Sequence, residues 1–419
     1  MIPIHQPPAG ARDLLPLEVA QKCWINDRIQ AVFQRWGYQR IVTSTLEWLK
    51  TLMAGGAIDP ATVIQIQDAS GNRLGLRPEL TASIARAAAT RLASAASSSA
   101  ASPQRLCYRA NIFRNPSAGH HGRQLEFYQA GVELLFVGGL LADAEILLLL
   151  ADCLERLGIP EWQLLLGETG LTRSLLSPFP KPLRQQVRQC IARLDRVALT
   201  ELDYPSPQLK ERACLLFDLR GNPADVLQLA ARLELDSSGQ QVVNRLKSLI
   251  DLLAESRLTP IPLVLDLSLW QSFDYYTGIV FQAVSRTERQ WRILGQGGRY
   301  DDLLGIYHPQ KQSAPGIGFC LNLEDLHACL LLAVTSDLPQ TIPPSDWLVI
   351  PQTSQAEAAA FTYAQTLRNS EHLVRVEMEL GGRTPEAIRE FARRCGIKNL
   401  AWVGVDGTPA IEILFADSL

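Results

Sequence analysis

Residues 105–113 and 126–133 are two runs of strand-forming residues around a polar stretch, 115–123, and the second run carries a carboxylate, Glu133, on an otherwise apolar sequence. Extended segments this close in the chain fold back on each other as an antiparallel hairpin. A carboxylate inside a sheet must find polar partners there. The hairpin, and a demand for hydrogen bonding within it, are the constraints that the rest of the chain must meet. A long apolar helix is expected directly afterwards, at 140–157.

At 419 residues the chain is long enough for two or three domains and a large core. Its formal charge of -3 offers no basic excess for gripping a polyanion, so no nucleic-acid partner is expected. The eight cysteines are dispersed without a CxxC pair, which fits the reduced thiols of a cytoplasmic protein. Met1-Ile2-Pro3-Ile4-His5 has neither the basic start nor the apolar run of a secretory signal. The most apolar stretch, 134–154, is broken by Gly138-Gly139, Asp143, Glu145 and Asp152, so no membrane span is expected. His120-His121 has no matching ligand cluster nearby in sequence, and neither a metal nor a cofactor is expected.

Apolar residues at helical spacing run through 16–36 and stop at Gly37. Strands are expected at 38–43 and 74–77, then a helix at 81–92 and an Ala/Ser-rich surface connection at 93–102. Between 171 and 256 the pattern turns helical, with helices expected at 183–199, 208–217, 224–233 and 239–253. This segment reads as a helical insertion. Strands resume at 263–267, 279–284 and 291–294, closing on a Gly-rich turn at 295–301. Residues 339–344 read as a linker. Beyond it, strands and helices alternate (347–350, 355–367, 374–377, 385–395, 400–404, 410–414), the pattern of a small α/β domain with a partly parallel sheet. The expected organisation is α+β, with a first domain over 1–338 that contains the insertion and a second over 345–419.

Motifs along the first 330 residues or so carry a resemblance. They are Gly37-Tyr38…Leu46-Glu47, Leu76-Arg77-Pro78-Glu79 with Thr81, Tyr108-Arg109…Phe113-Arg114, and Gly122-Arg123…Gln129-Ala130-Gly131-Val132-Glu133. Asp274-Tyr275-Tyr276-Thr277-Gly278-Ile279, Gly297-Gly298-Arg299-Tyr300-Asp301 and Gly316-Ile317-Gly318-Phe319 follow in order. This ordered set resembles class II histidyl-tRNA synthetase and its paralogues. The resemblance implies the class II synthetase-like antiparallel sheet flanked by helices, a self-dimer formed through the first motif, and an anticodon-binding-like second domain. It also places Glu79, Thr81, Gln129, Glu133, Tyr275 and Tyr276 on histidine-contacting positions. The residue types suit that ligand. Carboxylates and amides accept from an ammonium and from ring N–H groups. Tyrosines give flat walls with a polar tip, and Arg123 or Arg109 could meet the carboxylate. Each position also has a plainer reading: Glu79 as a helix N-terminal carboxylate, the tyrosines as core aromatics, the glycine pair as a tight turn.

The phosphate end departs from the family. Activating an amino acid with ATP needs preorganised cations at the α-phosphate. Where the family reads Gly-Leu-Glu-Arg, this chain reads Asn322-Leu323-Glu324-Asp325. A carboxylate about 4 Å from a phosphate costs roughly 4 kcal/mol at an effective dielectric near 20. Where the family reads Arg-Gly-Leu-Asp-Tyr-Tyr, this chain has Gln271, which cannot make a bidentate charged contact. In Phe113-Arg114-Asn115-Pro116 the family's glutamate is missing and Arg114 survives alone. From Trp347 onward acidic residues outnumber basic ones, the wrong sign for an RNA stem.

Loss of the ATP groups beside a retained amino-acid pocket resembles the regulatory subunits of ATP phosphoribosyltransferase. That resemblance implies a non-catalytic chain that assembles with a short catalytic subunit as a hetero-octamer, serves the first step of histidine biosynthesis, and brings feedback inhibition by histidine. The sensor is then either the synthetase-like pocket or the interface with the catalytic subunit. Two alternatives stand beside this reading: a divergent active histidyl-tRNA synthetase, and a histidine-sensing adaptor for another enzyme.

Overall fold

The computed structural model describes residues 5–56, 58–92, 102–115, 124–231, 235–267, 269, 275–287, 290–333 and 337–414. Arg123, Gln271, Asp274, His120-His121 and nearly all of the Ala/Ser-rich stretch lie outside them. The chain divides into two units, Met1–Leu338 and Pro339–Leu419.

In the first unit the strands, in chain order, are β1 (Gln39–Arg40), β2 (Leu46–Trp48), β3 (Gln65–Gln67), β4 (Arg73–Leu76), β5 (Gln104–Phe113) and β6 (Glu126–Leu135). They continue as β7 (Trp162–Glu168), β8 (Arg220–Gly221), β9 (Leu263–Asp266), β10 (Ile279–Arg286), β11 (Trp291–Arg299) and β12 (Gly316–Asn322). Among the described residues one sheet runs β1-β5-β6-β12-β11-β10-β7-β9-β8, and β2-β4-β3 forms a small separate one. The hairpin is present: β5 and β6 pair from Gln104 opposite Leu135 to Phe113 opposite Glu126. From β5 across to β7 every pairing is antiparallel. The outer pairs β1/β5 and β7/β9 are parallel, so the sheet is mixed. Parallel neighbours need a long crossover, and both pairs are separated by chain that includes helices.

The helix Pro16–Arg35 starts on a proline at its first turn and ends before Gly37, whose φ of 79° admits the left-handed exit. The helix Leu140–Leu157 is apolar nearly all round, and Ile146, Leu147, Leu149, Leu150 and Leu154 are fully buried. It packs between Pro16–Arg35, the helix Ser237–Glu255 and β12, so it has little wet face to make polar. Each such leucine contributes about 2 kcal/mol of apolar burial.

Five points differ from the sequence reading. Residues 183–199 form two helices, Lys181–Ala192 and Arg196–Glu201. Leu194 turns left-handed at φ 56°, and the Asp195 side chain accepts from Ala198 N at 2.9 Å to cap the second. Residues 295–299 are strand, not turn: Gly295–Arg299 complete β11 and pair on both sides, and the turn comes only at Asp301. β7 is a strand where the pattern suggested none, because a short apolar run such as Leu164-Leu165-Leu166 has no period to read. The strand at 38–43 shrinks to β1, and the helix at 81–92 divides into an α-helical part, Thr81–Ala87, and a π-helical turn, Ala88–Leu92.

The second unit contains β13 (Trp347–Pro351), β14 (Val376–Met378), β15 (Asn399–Val403) and β16 (Pro409–Ile413), in the order β14-β13-β15-β16. β14, β13 and β15 are parallel and β16 is antiparallel. The helices Glu357–Arg368 and Pro385–Cys395 connect the parallel strands, the second ending on Gly396 at φ 73°.

Candidate functional site

A cavity opens on one face of the large sheet, enclosing about 370 Å³ of non-atom space, part of it solvent. That size is at the small end for a ligand pocket. Its floor is made by β6, β12 and β11, and its walls by the start of Thr81–Ala87 and by Tyr275-Tyr276 ahead of β10. Side chains alternate along a strand, so Gln129 and Glu133 of β6 share one face.

Two glycines let the floor work. A Cβ on Gly298 would come within 2.6 Å of the Tyr276 ring, and one on Gly318 within 2.0 Å of Glu133 Oε2. Without them neither the tyrosine nor the carboxylate could lie flat on the sheet. Gly298 therefore acts as a close-approach residue within a strand, and not as the tight turn considered above.

Of the predicted residues, Glu79, Thr81, Gln129, Tyr275 and Tyr276 line the cavity. Glu79 is also the helix-end carboxylate of the plainer reading. Its oxygens accept from Thr81 N and Ala82 N, each at 2.8 Å. Burial raises its pKa, against the pull of those N–H groups and of Arg114. Glu133 does not line the cavity but lies beneath it. Thr81 Oγ1 donates to Glu133 Oε1 at 2.8 Å, and the Tyr300 hydroxyl is hydrogen-bonded to Oε2. Burial pushes the Glu133 carboxyl up to about 8, partly offset by these two hydroxyls and reinforced by Glu79. Near neutral pH it is therefore mainly the neutral acid. The rings of Tyr275 and Tyr276 lie 4.8 Å apart, and Tyr300 meets Tyr275 edge-on at 5.9 Å.

Arg109 is on the other face of β5 from Tyr108, 5.5 Å from the Tyr128 ring, and does not line the cavity. Arg114 does line it, and among the described residues it is the basic one there. Its Nε donates to Pro78 O at 2.6 Å and its guanidinium lies 5.5 Å from the Phe127 ring. Sequence reasoning also missed Tyr108, Gln296, Tyr300 and Cys320 as neighbours of the site. Strand alternation could have found Gln296 and Tyr300 from Gly298, had 295–299 been read as strand. Burial raises the Cys320 thiol to about 11, so it stays protonated.

Asp325 lies in the first turn of the helix Leu323–Leu332 and is not part of the cavity lining. Arg292 Nη1 stands 3.4 Å from its Oδ1, and Asn322 Nδ2 donates to its Oδ2 at 2.5 Å. Its charge is thus partly neutralised by a neighbour, and the bare carboxylate assumed above overstates its repulsion. Glu324 is structural: it accepts from Tyr128 N at 3.1 Å and pairs with Lys22 at the same distance.

These features have close counterparts. The family pattern described as histidyl-tRNA synthetase matches residues 10–326. An ATP phosphoribosyltransferase regulatory subunit of Gloeothece citriformis (strain PCC 7424) is 69% identical over 409 residues, covering 98% of this chain and 99% of that one. Its counterpart in Rippkaea orientalis (strain PCC 8801 / RF-1) is 66% identical, covering 99% and 100%. Among solved structures, an ATP phosphoribosyltransferase regulatory subunit/histidyl-tRNA synthetase from Bacillus halodurans C matches with TM-score 0.77 at 27% identity, over 93% of this chain and 96% of that one. Histidyl-tRNA synthetase from Nostoc sp. PCC 7120 matches with TM-score 0.73 at 20% identity, over 98% and 94%, a likeness of fold alone. The chain belongs to the ATP phosphoribosyltransferase regulatory subunits, a family built on the histidyl-tRNA synthetase fold.

Proposed function

We propose that this chain is the non-catalytic regulatory subunit of ATP phosphoribosyltransferase, acting in the cytoplasm in the first step of histidine biosynthesis and imposing feedback inhibition by histidine. The observation that carries the sensing role is the cavity itself. Glu79, Gln129 and the tyrosine walls offer acceptors and flat faces, while the phosphate end presents Asp325. Such a site holds a free amino acid and does not stabilise charge building on a nucleotide. Inhibition then follows by linkage: histidine binds the inhibited arrangement of the complex more tightly, and the catalytic ligands weaken histidine binding by the same factor.

The partner is a short catalytic subunit, with a hetero-octamer as the assembly. A self-dimer is supported by the small sheet, where Leu46, Trp48 and Ile66 stand 44%, 54% and 41% exposed. Cross-strand register puts them on one face with Leu74 and Leu76, and an apolar face of this kind marks an association surface. Among the described residues no helix is long and apolar enough to cross a membrane.

The test is reconstitution with a short ATP phosphoribosyltransferase catalytic subunit. Activity should depend on this chain and fall as histidine is added. A double variant, Glu133→Gln with Tyr276→Ala, should leave the assembly active and blunt the inhibition. Unchanged inhibition in that variant would move the sensor to the subunit interface. Failure to co-purify with the catalytic subunit would favour an adaptor role, and histidine-dependent ATP–pyrophosphate exchange would favour a synthetase.

A further inference from the structure

We propose that Arg245 is a two-position latch that couples the helical segment 171–256 to the cavity and transmits the histidine signal between them. This rests on the regulatory reading above and deepens it by assigning a transmitting residue outside the cavity.

Arg245 stands on the helix Ser237–Glu255 between two carboxylates, Asp143 and Glu168, each more than nine-tenths buried. The three line a second cavity of about 270 Å³ of non-atom space, part of it solvent, with Leu246, Leu249 and Ile279 on its apolar side. The two carboxylates are unequally matched. Asp143 Oδ1 accepts from Arg299 Nε at 2.8 Å and from Arg299 Nη2 at 2.6 Å, while Oδ2 accepts from Arg245 Nη2 at 3.2 Å. Asp143 therefore has a full countercharge without Arg245. Glu168 caps the helix Thr169–Leu176 by accepting from Leu171 N, and among the described residues no cation stands within ion-pair distance of it. Burial raises its pKa, and after the Leu171 N–H it is the Arg245 charge that holds the rise down. A buried carboxylate without a countercharge is costly, so Glu168 competes for the guanidinium. The Arg245 side chain is half exposed, and the cavity gives it room to change partner.

Each carboxylate leads to the tyrosine wall by its own route. From Asp143 the route is Arg299, flanked by Gly298, against which Tyr276 lies, and by Tyr300, whose hydroxyl meets Glu133. From Glu168 it is Thr169, whose N and Oγ1 both donate to Gly278 O at 3.0 Å, two residues beyond Tyr276. Thr277 N donates to Arg299 O at 2.8 Å and joins the two routes. A ligand seated against Tyr276 loads both. The helix Ser237–Glu255 packs on Leu140–Leu157 and on Thr169–Leu176, so the choice that Arg245 makes biases how the helical segment sits on the sheet. Such a coupling acts equally in both directions.

The test reads the histidine concentration that half-inhibits the complex reconstituted with a short catalytic subunit. Arg245→Gln removes the latch and Glu168→Gln removes its second position. Each should raise that concentration about 3- to 10-fold, within the span that a residue between coupled sites commands. Uninhibited activity, and calorimetric histidine affinity of the free subunit, should stay within about 2-fold of wild type. The double variant should be shifted no further than Arg245→Gln alone, a non-additivity that two independent structural losses would not show. Arg245→Lys keeps the charge and should be shifted less than Arg245→Gln. Lys247→Gln, at an exposed position on the same helix, should not be shifted. Should Glu168→Gln fail to fold for want of its helix cap, the two Arg245 variants decide the matter. Half-inhibition unmoved in Arg245→Gln overturns the latch and leaves the regulatory reading in place, as do additive shifts or an equal shift in Lys247→Gln. A wild-type complex that histidine does not inhibit removes the regulatory reading and the latch with it.

Discussion

The cavity and the start of the helix Leu323–Leu332 share β12, where Asn322 pairs in register with Gln129, yet they treat charge in opposite ways. At the cavity wall and beneath its floor, Glu79 and Glu133 are almost fully enclosed, their ionised forms are disfavoured by burial, and backbone N–H groups or hydroxyls are arranged around each. At the helix start, Asp325 is about one-third exposed and its charge is met by Arg292. A buried carboxylate costs stability and persists where something needs it. A carboxylate at the rim is nearly free and can replace a guanidinium without disturbing the fold. On the proposed function, the difference separates an amino-acid site that is kept from the phosphate chemistry of a synthetase that is lost.

The largest expected effect concerns that lost chemistry. Histidine-dependent ATP–pyrophosphate exchange by this chain should lie about 10⁴-fold or more below that of an active synthetase, since one missing electrostatic donor alone costs about 10²–10³. Replacing Asp325 by arginine should not restore exchange, because Gln271 and the missing glutamate after Arg114 remain. Exchange near synthetase levels in the unaltered protein would erase the distinction between the two regions.

Next in size is Gly318→Ala. The added methyl would meet Glu133 Oε2 at 2.0 Å and Val132 O at 2.3 Å, and a carbonyl of a central strand cannot move aside cheaply. A stability loss of about 3 kcal/mol is expected by denaturant unfolding, with histidine binding abolished. A near-neutral result would mean that the carboxylate has room, and that the floor is looser than its glycines imply.

The acid beneath the floor sets a third effect. The folded pKa of Glu133 is raised to about 8 from an ordinary 4.5. The native state therefore holds this proton more tightly than the unfolded chain. Its contribution is fully present below about 4.5 and is lost as pH rises through about 8. Glu133→Gln cannot ionise and escapes that loss. Relative to the wild type, the variant should gain about 2 kcal/mol between pH 5 and pH 8 in chemical denaturation, fewer than the full span because each pH unit contributes at most about 1.4 kcal/mol and burial is never perfect. Equal pH profiles would show Glu133 to be an ordinary solvated acid.

How much of this was legible beforehand follows the same physical divide. The hairpin, the helix Leu140–Leu157 and the cap at Glu79 are local: alternation, period and a carboxylate ahead of a helix state themselves over a few residues. Motif order identified the class of fold and five cavity residues. What stayed hidden depends on neighbours distant in sequence. Gly298 reads as a turn until Tyr276 is known to lie on it. The sequence offers Arg123 or Arg109 for a ligand carboxylate and sets Arg114 at the phosphate end, yet Arg114 lines the cavity and Arg109 does not, a matter of strand face. Glu133 was recognised as needing partners, but Tyr300, 167 residues away, could not be named.

The smallest effect is also the most exacting test of the comparison. Arg292 and Asp325 stand 3.4 Å apart with side chains 27% and 32% exposed, and pairs of this kind contribute about 0.5 kcal/mol. Asp325 keeps Asn322 as a partner when the arginine is removed. Arg292→Ala should therefore cost less than about 1 kcal/mol, and because Asp325 is no part of the cavity lining, histidine affinity should shift by less than about 2-fold. Arg292 Nε is buried without an acceptor, so removing the group relieves one small penalty while it loses the ion pair. A tenfold change in histidine affinity would show that the helix start is coupled to the cavity through β12, and that the rim charge is part of the sensor.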